Sequence, residues 1–229
     1  HCCDGMGTET YGYASNGSND NGTRFNVIDR FPYASDSDAT DVGDTTRGRD
    51  SYNGMSSSTH GYAAGGYAFS PTGYLNTIDK FLFGSSANST DVGDLTAITG
   101  HGTGVSSLTH GYHAGGWATN NRIEKFSFSS DGNASDVADI LSTRRGPRGC
   151  SSATHGYVCG GGLDTPGSHL NSIERFHFAT DSDSADWADM TETKRSYGTA
   201  CSSATHGFTL GGTDETGNSK TSIVFSVKH

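Results

Sequence analysis

The feature that most constrains the chain is a short segment that occurs five times. Each copy reads Thr, then His or Tyr, then Gly and an aromatic residue, and four of the five copies close on Gly-Gly. The first glycines of the copies are Gly12, Gly61, Gly111, Gly156 and Gly207, so one copy recurs about every 50 residues. Such a chain is expected to fold as repeated modules that bury their faces on one another.

Two further signatures follow these segments in fixed order. An Ile-x-x-Phe motif, looser in its last copy, begins at Ile28, Ile78, Ile123, Ile173 and Ile223. An acidic motif, Asp-(Val/Trp)-(Gly/Ala)-Asp, begins at Asp41, Asp91, Asp136 and Asp186. Short runs bounded by turn signals, with no helical periodicity, indicate four strands per repeat, here named a to d. Four-stranded units of this length predict an all-β, five-bladed β-propeller with antiparallel blades.

The repeats also predict the domain organisation. We expect one domain over residues 1–229, with repeats at approximately 5–50, 51–100, 101–145, 146–195 and 196–229. The last repeat stops after strand c, so either the fifth blade has three strands or the natural protein continues beyond this chain. Within each repeat the His-Gly pair is expected to form the a–b hairpin turn, because glycine accepts positive φ.

Composition restricts the classes of partner. The net charge of −10 argues against nucleic acid, because a phosphate-binding surface needs clustered Lys and Arg. No apolar run approaches 18 residues, so no membrane insertion is expected. A surface rich in Ser, Thr, Gly and Asn and poor in Lys is more typical of a virion or extracellular protein than of a cytosolic enzyme.

Two family resemblances rest on these motifs. The double glycine after strand b, the aromatic strand c, and Trp187 followed by Met190 and Arg195 resemble the kelch repeat and the galactose-oxidase-like propellers. The resemblance covers nearly the whole chain, although Val replaces the kelch Trp in three repeats. The strand c motif, with the acidic motif after it, also looks like repeat proteins of marine bacteriophage tails. These resemblances imply a propeller fold and a role on a virion.

A comparison of the repeats predicts which end of the blades binds a ligand. The a–b and c–d turns are uniform, whereas the b–c loops and d–a segments vary in length or content. Variable loops on a rigid scaffold are common binding sites, and aromatic and Arg side chains supply contact area at low entropy cost. The alternative is that loops merely tolerate these residues. The candidate ligand-binding residues are Tyr67, Tyr74, His101, Trp117, Arg144, Arg145, Arg148, Arg195 and Tyr197.

Three other motifs favour structural roles. The repeated histidines occur one per blade, too far apart to share a metal ion. The acidic c–d turns lack the Gly and Glu positions of an EF-hand loop. The Ser pairs in strand a have no Gly-x-Ser-x-Gly context that would make a nucleophile. We therefore predict no catalytic residue, no metal and no cofactor.

The hydrophobic positions of the later repeats predict parts of the core. Cysteines at positions 150, 159 and 201 stand where other repeats have Met, Val, Ala or Leu, so all three are expected to be buried. The residues of the fourth repeat that are expected to pack between blades are Ile173, Phe176, Phe178 and Trp187.

These observations favour a non-enzymatic binding module. The expected role is attachment, on a virion or outside the cell, to a host surface glycan or protein through the variable loops. The alternative is a structural element of a fibre or capsid that stacks on other subunits. A galactose-oxidase-like enzyme is less favoured, because no Cys lies in a variable loop to modify a Tyr copper ligand.

Overall fold

The computed structural model describes residues 5–19, 21–117, 121–163, 168–191, 195–213 and 224–228. For residues 195–197 and 224–228 it describes the backbone only. This part of the chain is all-β, with 21 strands and no helix. The chain divides into two compact units, residues 1–100 with 127–134, and residues 101–126 with 135–229. The single domain therefore stays a prediction.

The first unit contains the sheets of the first two repeats. The first sheet has four antiparallel strands, in spatial order β1 (Gly5–Gly7), β2 (Tyr11–Ser15), β3 (Val27–Pro32) and β4 (Thr40–Asp44). The second sheet has six antiparallel strands, β5 (Arg49–Asp50), β6 (Asn53–Ser56), β7 (His60–Ala64), β8 (Tyr67–Phe69), β9 (Thr72–Leu82) and β10 (Thr90–Thr99). Strands β6, β7, β9 and β10 are its strands a to d. Part of its b–c loop forms the β8–β9 hairpin, which the sequence did not predict.

The sheets of the last three repeats belong to the second unit, apart from residues 127–134. The third sheet consists of β11 (Thr103–Ser106), β12 (His110–Ala114), β13 (Arg122–Ser127) and β14 (Ser135–Asp139). The fourth consists of β15 (Arg148–Ser151), β16 (His155–Cys159), β17 (Ser172–His177) and β18 (Ala185–Asp189). The fifth consists of β19 (Arg195–Ser202), β20 (His206–Thr213) and β21 (Val224–Lys228). Four-stranded antiparallel sheets, predicted from the repeat, are confirmed.

The hydrophobic core lies between successive sheets of a unit. In the first unit, Met6 and Tyr13 of the first sheet pack in one buried cluster with Ala63 and Phe81 of the second. In the second unit, residues of the third sheet pack in the same way with Val158 and Phe176 of the fourth. Within each unit, apolar side chains of one sheet are therefore buried against the next sheet.

Three of the four packing positions predicted in the fourth repeat lie in this core. Ile173 and Phe176 are buried, and the Phe178 ring stacks on Tyr112 with 4.9 Å between the ring centroids. Trp187 is 47% exposed, so its predicted burial was wrong. The equivalent residue of the first repeat, Val42, is only 5% exposed because it packs against the second sheet.

Of the three cysteines predicted to be buried, two are buried and one is exposed. Cys150 and Cys159 are buried, as predicted. A hydrogen bond with the Cys150 thiol, together with burial, raises the pKa of Cys159 well above its usual value. Cys201 is exposed, which corrects the prediction of burial. It lies in the last sheet, and the described part of its unit contains no further sheet that covers it.

The a–b turn lies earlier than predicted. In the second repeat the Ser57 amide donates to the His60 carbonyl at 2.9 Å, while Ser57 Oγ accepts from the amides of Thr59 and His60. The third, fourth and fifth repeats contain the same hydrogen bonds. A serine side chain thus closes the turn. The His-Gly pair already belongs to strand b, so the prediction of a His-Gly turn was wrong.

The glycine after the histidine is needed for close packing. Gly61 lies opposite Phe81 in the neighbouring strand, and a Cβ on Gly61 would lie 2.3 Å from Phe81 Cζ. Gly156 and Phe176 repeat this arrangement in the fourth sheet. The aromatic ring occupies the space that any larger residue would need.

Buried ion pairs connect the d–a segments to strand c. Arg49 Nη2 lies 2.5 Å from Asp79 Oδ2, and both side chains have no solvent exposure. Arg144 and Glu174 form the same pair in the fourth repeat. Arg49 Nη1 also donates hydrogen bonds to the Gly65 carbonyl at 3.0 Å and to Thr77 Oγ1 at 3.1 Å.

Replacing Gly61 by Ala is expected to lower the free energy of unfolding by about 1–3 kcal/mol, because the Phe81 ring must move. Gly5→Ala is the matched control, since an added Cβ there has nothing within 4 Å. Its effect should stay within about 0.5 kcal/mol. Urea denaturation measures both variants, and equal effects would contradict the packing role of Gly61.

Asp79→Ala is expected to cost about 3–5 kcal/mol of stability, because Arg49 is left buried without its counter-ion. Asp29 stands at the same register position of the first sheet, is half-buried and forms no ion pair within the described chain. Asp29→Ala should therefore cost much less. Denaturant midpoints compare the two variants, and similar losses would show that the buried pair has no special role.

Candidate functional site

Antiparallel strand order gives every sheet two chemically different ends. In the second sheet the turn at residues 57–59 and the c–d turn at residues 83–89 lie at one end, here called the turn end. The b–c loops and d–a segments lie at the other, here called the loop end. The predicted grouping of turns and loops is therefore present within each four-stranded sheet.

In the second unit, three of the predicted ligand-binding residues meet at the loop end. The Arg145 guanidinium lies 4.9 Å from the centroid of the Trp117 ring, and the His101 ring lies 6.4 Å from it. Trp117 is 39% exposed. We call these three residues the Trp117 cluster. It presents a flat aromatic face beside a cationic group.

The backbone holds the Trp117 cluster in place. Gly115 and Gly116 adopt φ values of 68° and 122°, which glycine accepts readily and which turn the chain away from strand b just before the tryptophan. Arg145 exchanges two main-chain hydrogen bonds with Gly162, at 3.0 and 2.9 Å. The Gly146 amide also donates to the His101 carbonyl at 2.6 Å. Three separate loop segments are thus tied together.

A second aromatic group lies at the loop end of the first unit. The predicted residues Tyr67 and Tyr74 contact each other with 4.9 Å between ring centroids. Arg24 stacks over Tyr67 at 4.9 Å and over Phe69 at 5.5 Å, and its Nε lies 2.8 Å from Asp50 Oδ2. We call Arg24, Tyr67, Phe69 and Tyr74 the Tyr67 cluster.

Sequence reasoning missed two members of the Tyr67 cluster. Arg24 lies in the first b–c loop, and Phe69 lies in the second and is 63% exposed. Both satisfy the criterion that identified the other candidates, a basic or aromatic residue in a variable loop. Only their residue type and their position in a variable loop could therefore have identified them from the sequence.

Arg144 has a different role from the one predicted. It is buried and forms an ion pair with Glu174. Its Nη1 also donates a hydrogen bond to the Gly160 carbonyl at 3.1 Å. Burial lowers its pKa to about 10, so the side chain stays protonated at neutral pH. Arg144 thus belongs to the framework under the Trp117 cluster.

Three predicted candidates remain, Arg148, Arg195 and Tyr197. Arg148 is half-buried and lines a small cavity together with Cys159 and Met190. The backbone of Arg195 and Tyr197 lies in β19, but their side chains fall outside the described part of the chain.

The repeated histidines lie at the turn end. His60 Nδ1 is 2.8 Å from Thr59 Oγ1, and the third, fourth and fifth repeats contain the same contact. Partial burial lowers the pKa values of His60, His110 and His155, with a further contribution from neighbouring cations. Within the described residues, no group of three His, Cys, Asp or Glu side chains could hold a metal ion.

No protein-family model matches the sequence, and no curated protein matches it at a significant level. The kelch-like and phage-tail resemblances therefore stay predictions. In the part of the chain that is described, no helix has both the length and the apolar character needed to cross a membrane.

The exposure of the two tryptophans can be tested by fluorescence quenching. Trp117→Phe and Trp187→Phe each leave one tryptophan in the chain. Acrylamide is expected to quench the native emission of both variants, because each remaining indole is at least one-third exposed. A blue-shifted Trp187 emission that resists quenching would contradict the exposure of β18.

Proposed function

We propose that the chain is a five-bladed β-propeller that acts as a non-enzymatic binding module. Five successive antiparallel sheets with one strand order, and cores shared between successive sheets within each unit, support the propeller. Its ligand is a host surface glycan or protein, and its place is on a virion or outside the cell. The low Lys content and the phage-like repeat motif support this location.

The observation that carries the proposal is the Trp117 cluster. Trp and Arg are the residue types most enriched among residues that dominate binding energy, and both present rigid planar surfaces. Arg145 forms no ion pair in the described part of the chain, so its charge is available to a ligand. A sugar ring or an aromatic side chain fits the indole face, and a carboxylate or carbonyl oxygen fits the guanidinium.

Preorganisation also supports a binding role. Arg144, next to Arg145 in sequence, is fixed by Glu174, and Glu174 Oε2 also accepts from the Leu141 amide at 2.9 Å. In the third sheet, buried His113 belongs to β12, the strand that leads to Trp117, and its Nδ1 lies 3.1 Å from Glu124 Oε2. A loop that is already ordered loses less entropy when a ligand binds.

An array of neutral and acidic glycans, with immobilised cell-surface protein extracts, tests the proposal. For any probe that binds, Trp117→Ala or Arg145→Ala should weaken affinity by about 1–2 kcal/mol or more, which corresponds to roughly 5–30-fold. Isothermal titration with that probe measures the change, and thermal melting confirms that the variants fold.

Two turn-end variants are the controls. Asp131→Ala removes an exposed ion pair with Lys80, and His155→Ala removes the contact with Thr154. Both should leave affinity nearly unchanged. The reverse pattern would move the binding site to the turn end, and unchanged affinity in all four variants would refute a role for the Trp117 cluster.

A further inference from the structure

Three sulfur-bearing side chains meet in the core of the fourth sheet. Cys150 of β15, Cys159 of β16 and Met190, directly after β18, belong to one buried cluster, and none is more than 4% exposed. A hydrogen bond joins the two thiols. The Thr209 hydroxyl donates to Met190 Sδ at 3.6 Å, so the thioether also has a defined partner.

The same three positions of the third sheet carry no sulfur. They are occupied by Val105, Ala114 and Ile140, which also pack in one buried cluster. The repeat geometry therefore brings these positions together in both sheets, and hydrocarbon side chains are sufficient to fill the core there. In the second repeat one of the three positions, that of Met55, has sulfur. The fourth repeat has sulfur at all three, which packing alone does not require.

A small cavity lies beside two of the sulfurs. Cys159, Met190 and Thr209 line it together with Arg148, and its volume of about 10 Å³ is the space of one water molecule or one metal ion. Arg148 is the one charged residue among the described residues that line it. Its Nε atom is buried and has no hydrogen-bond partner in the described part of the chain. The cavity therefore combines soft sulfur donors with a positive charge.

This set of groups fits one class of ion. Thiolate and thioether sulfurs are soft ligands, which favour Cu(I) over hard cations. Binding releases the proton of each thiol, so two thiolates and one Cu(I) carry one negative charge in excess. A buried charge without a partner is strongly unfavourable, and the guanidinium of Arg148 supplies the compensating positive charge.

We propose that Cys150, Cys159 and Met190 form a binding site for one Cu(I) ion, with Arg148 as its counter-charge. The ion connects strands a and b of the fourth sheet to the segment that follows strand d. No residue of this site belongs to the Trp117 cluster, so the site does not depend on the proposed attachment function. The prediction that the chain binds no metal rested on the repeated histidines and the acidic turns, and neither motif includes these sulfurs.

The test uses a full-length background variant with Cys2→Ser, Cys3→Ser and Cys201→Ser, which retains the two cysteines of the site. Under anaerobic conditions with ascorbate, this folded variant should remove one equivalent of Cu(I) per chain from the copper(I)–bicinchoninate complex. X-ray absorption of the copper-loaded variant should show coordination by sulfur. In the same background, Cys150→Ser or Cys159→Ser should weaken the apparent affinity at least about a hundredfold.

Two further pairs of substitutions separate ligation from packing. Met190→Leu keeps the size of the side chain but removes the sulfur, and should weaken Cu(I) affinity about tenfold. Met55→Leu is the matched control, because Met55 is equally buried in the second sheet and should leave the affinity unchanged. Arg148→Gln should weaken the affinity about tenfold, whereas Arg148→Lys retains the charge and most of the affinity. Thermal melting without copper confirms that each variant folds.

Three results would overturn the proposal. The first is no transfer of Cu(I) from bicinchoninate, or transfer with equal affinity by the Met190→Leu and Met55→Leu variants. The second is an X-ray absorption spectrum with nitrogen or oxygen ligands, because the ion would then lie elsewhere in the chain. The third is the absence of free thiols when the background variant is unfolded without reductant, because Cys150 and Cys159 would then form a disulfide.

Discussion

The sharing of one core between two successive sheets is the constraint on which the rest of this structure depends. Only 31% of the residues are hydrophobic, so no single sheet has enough apolar side chains to bury a face alone. Val42 is buried because Phe81 of the next repeat packs in the same cluster. The c–d turns of the second, third and fourth repeats add hydrogen bonds to the main chain of strand d of the preceding repeat, here called turn–strand latches. Within each unit, apolar burial and polar pairing therefore both connect successive sheets.

Buried charges within the repeats follow a compensating pattern. Arg49 and Arg144 occupy equivalent positions in the repeat pattern. The equivalent residue ahead of the third sheet is Thr99, and in that sheet Glu124 lies beside His113 instead. A buried carboxylate without a partner would cost several kcal/mol. In the third sheet, His113 of strand b therefore takes the place that an arginine of the d–a segment has beside the carboxylate in the other two.

The sequence predicted the repeating, short-range parts of this fold. Strand order, double glycines and the spacing of the acidic motif follow from residues that are close along the chain. The sequence could not show that neighbouring Arg144 and Arg145 have different roles. Arg144 forms an ion pair with Glu174, whereas Arg145 stacks on Trp117. Trp187 was misassigned for a similar reason, since its burial depends on a neighbouring sheet and not on its own strand.

The contrast between the two ends of the sheets has a physical origin in the turn–strand latches, which join a c–d turn to strand d of the preceding repeat. Asn88, Asn133 and Asp183 must each reach the main chain of the preceding repeat, so the length of the c–d turn is fixed and its composition is restricted. No latch involves the b–c loops. The third of these loops is shorter than the others, yet the latch that follows it, between Asp94 and Asn133, has the same 3.0 Å bond as the first. A change in the length of a b–c loop therefore leaves the latch unchanged, which makes the b–c loops the part of the scaffold where a binding surface can change without loss of the fold.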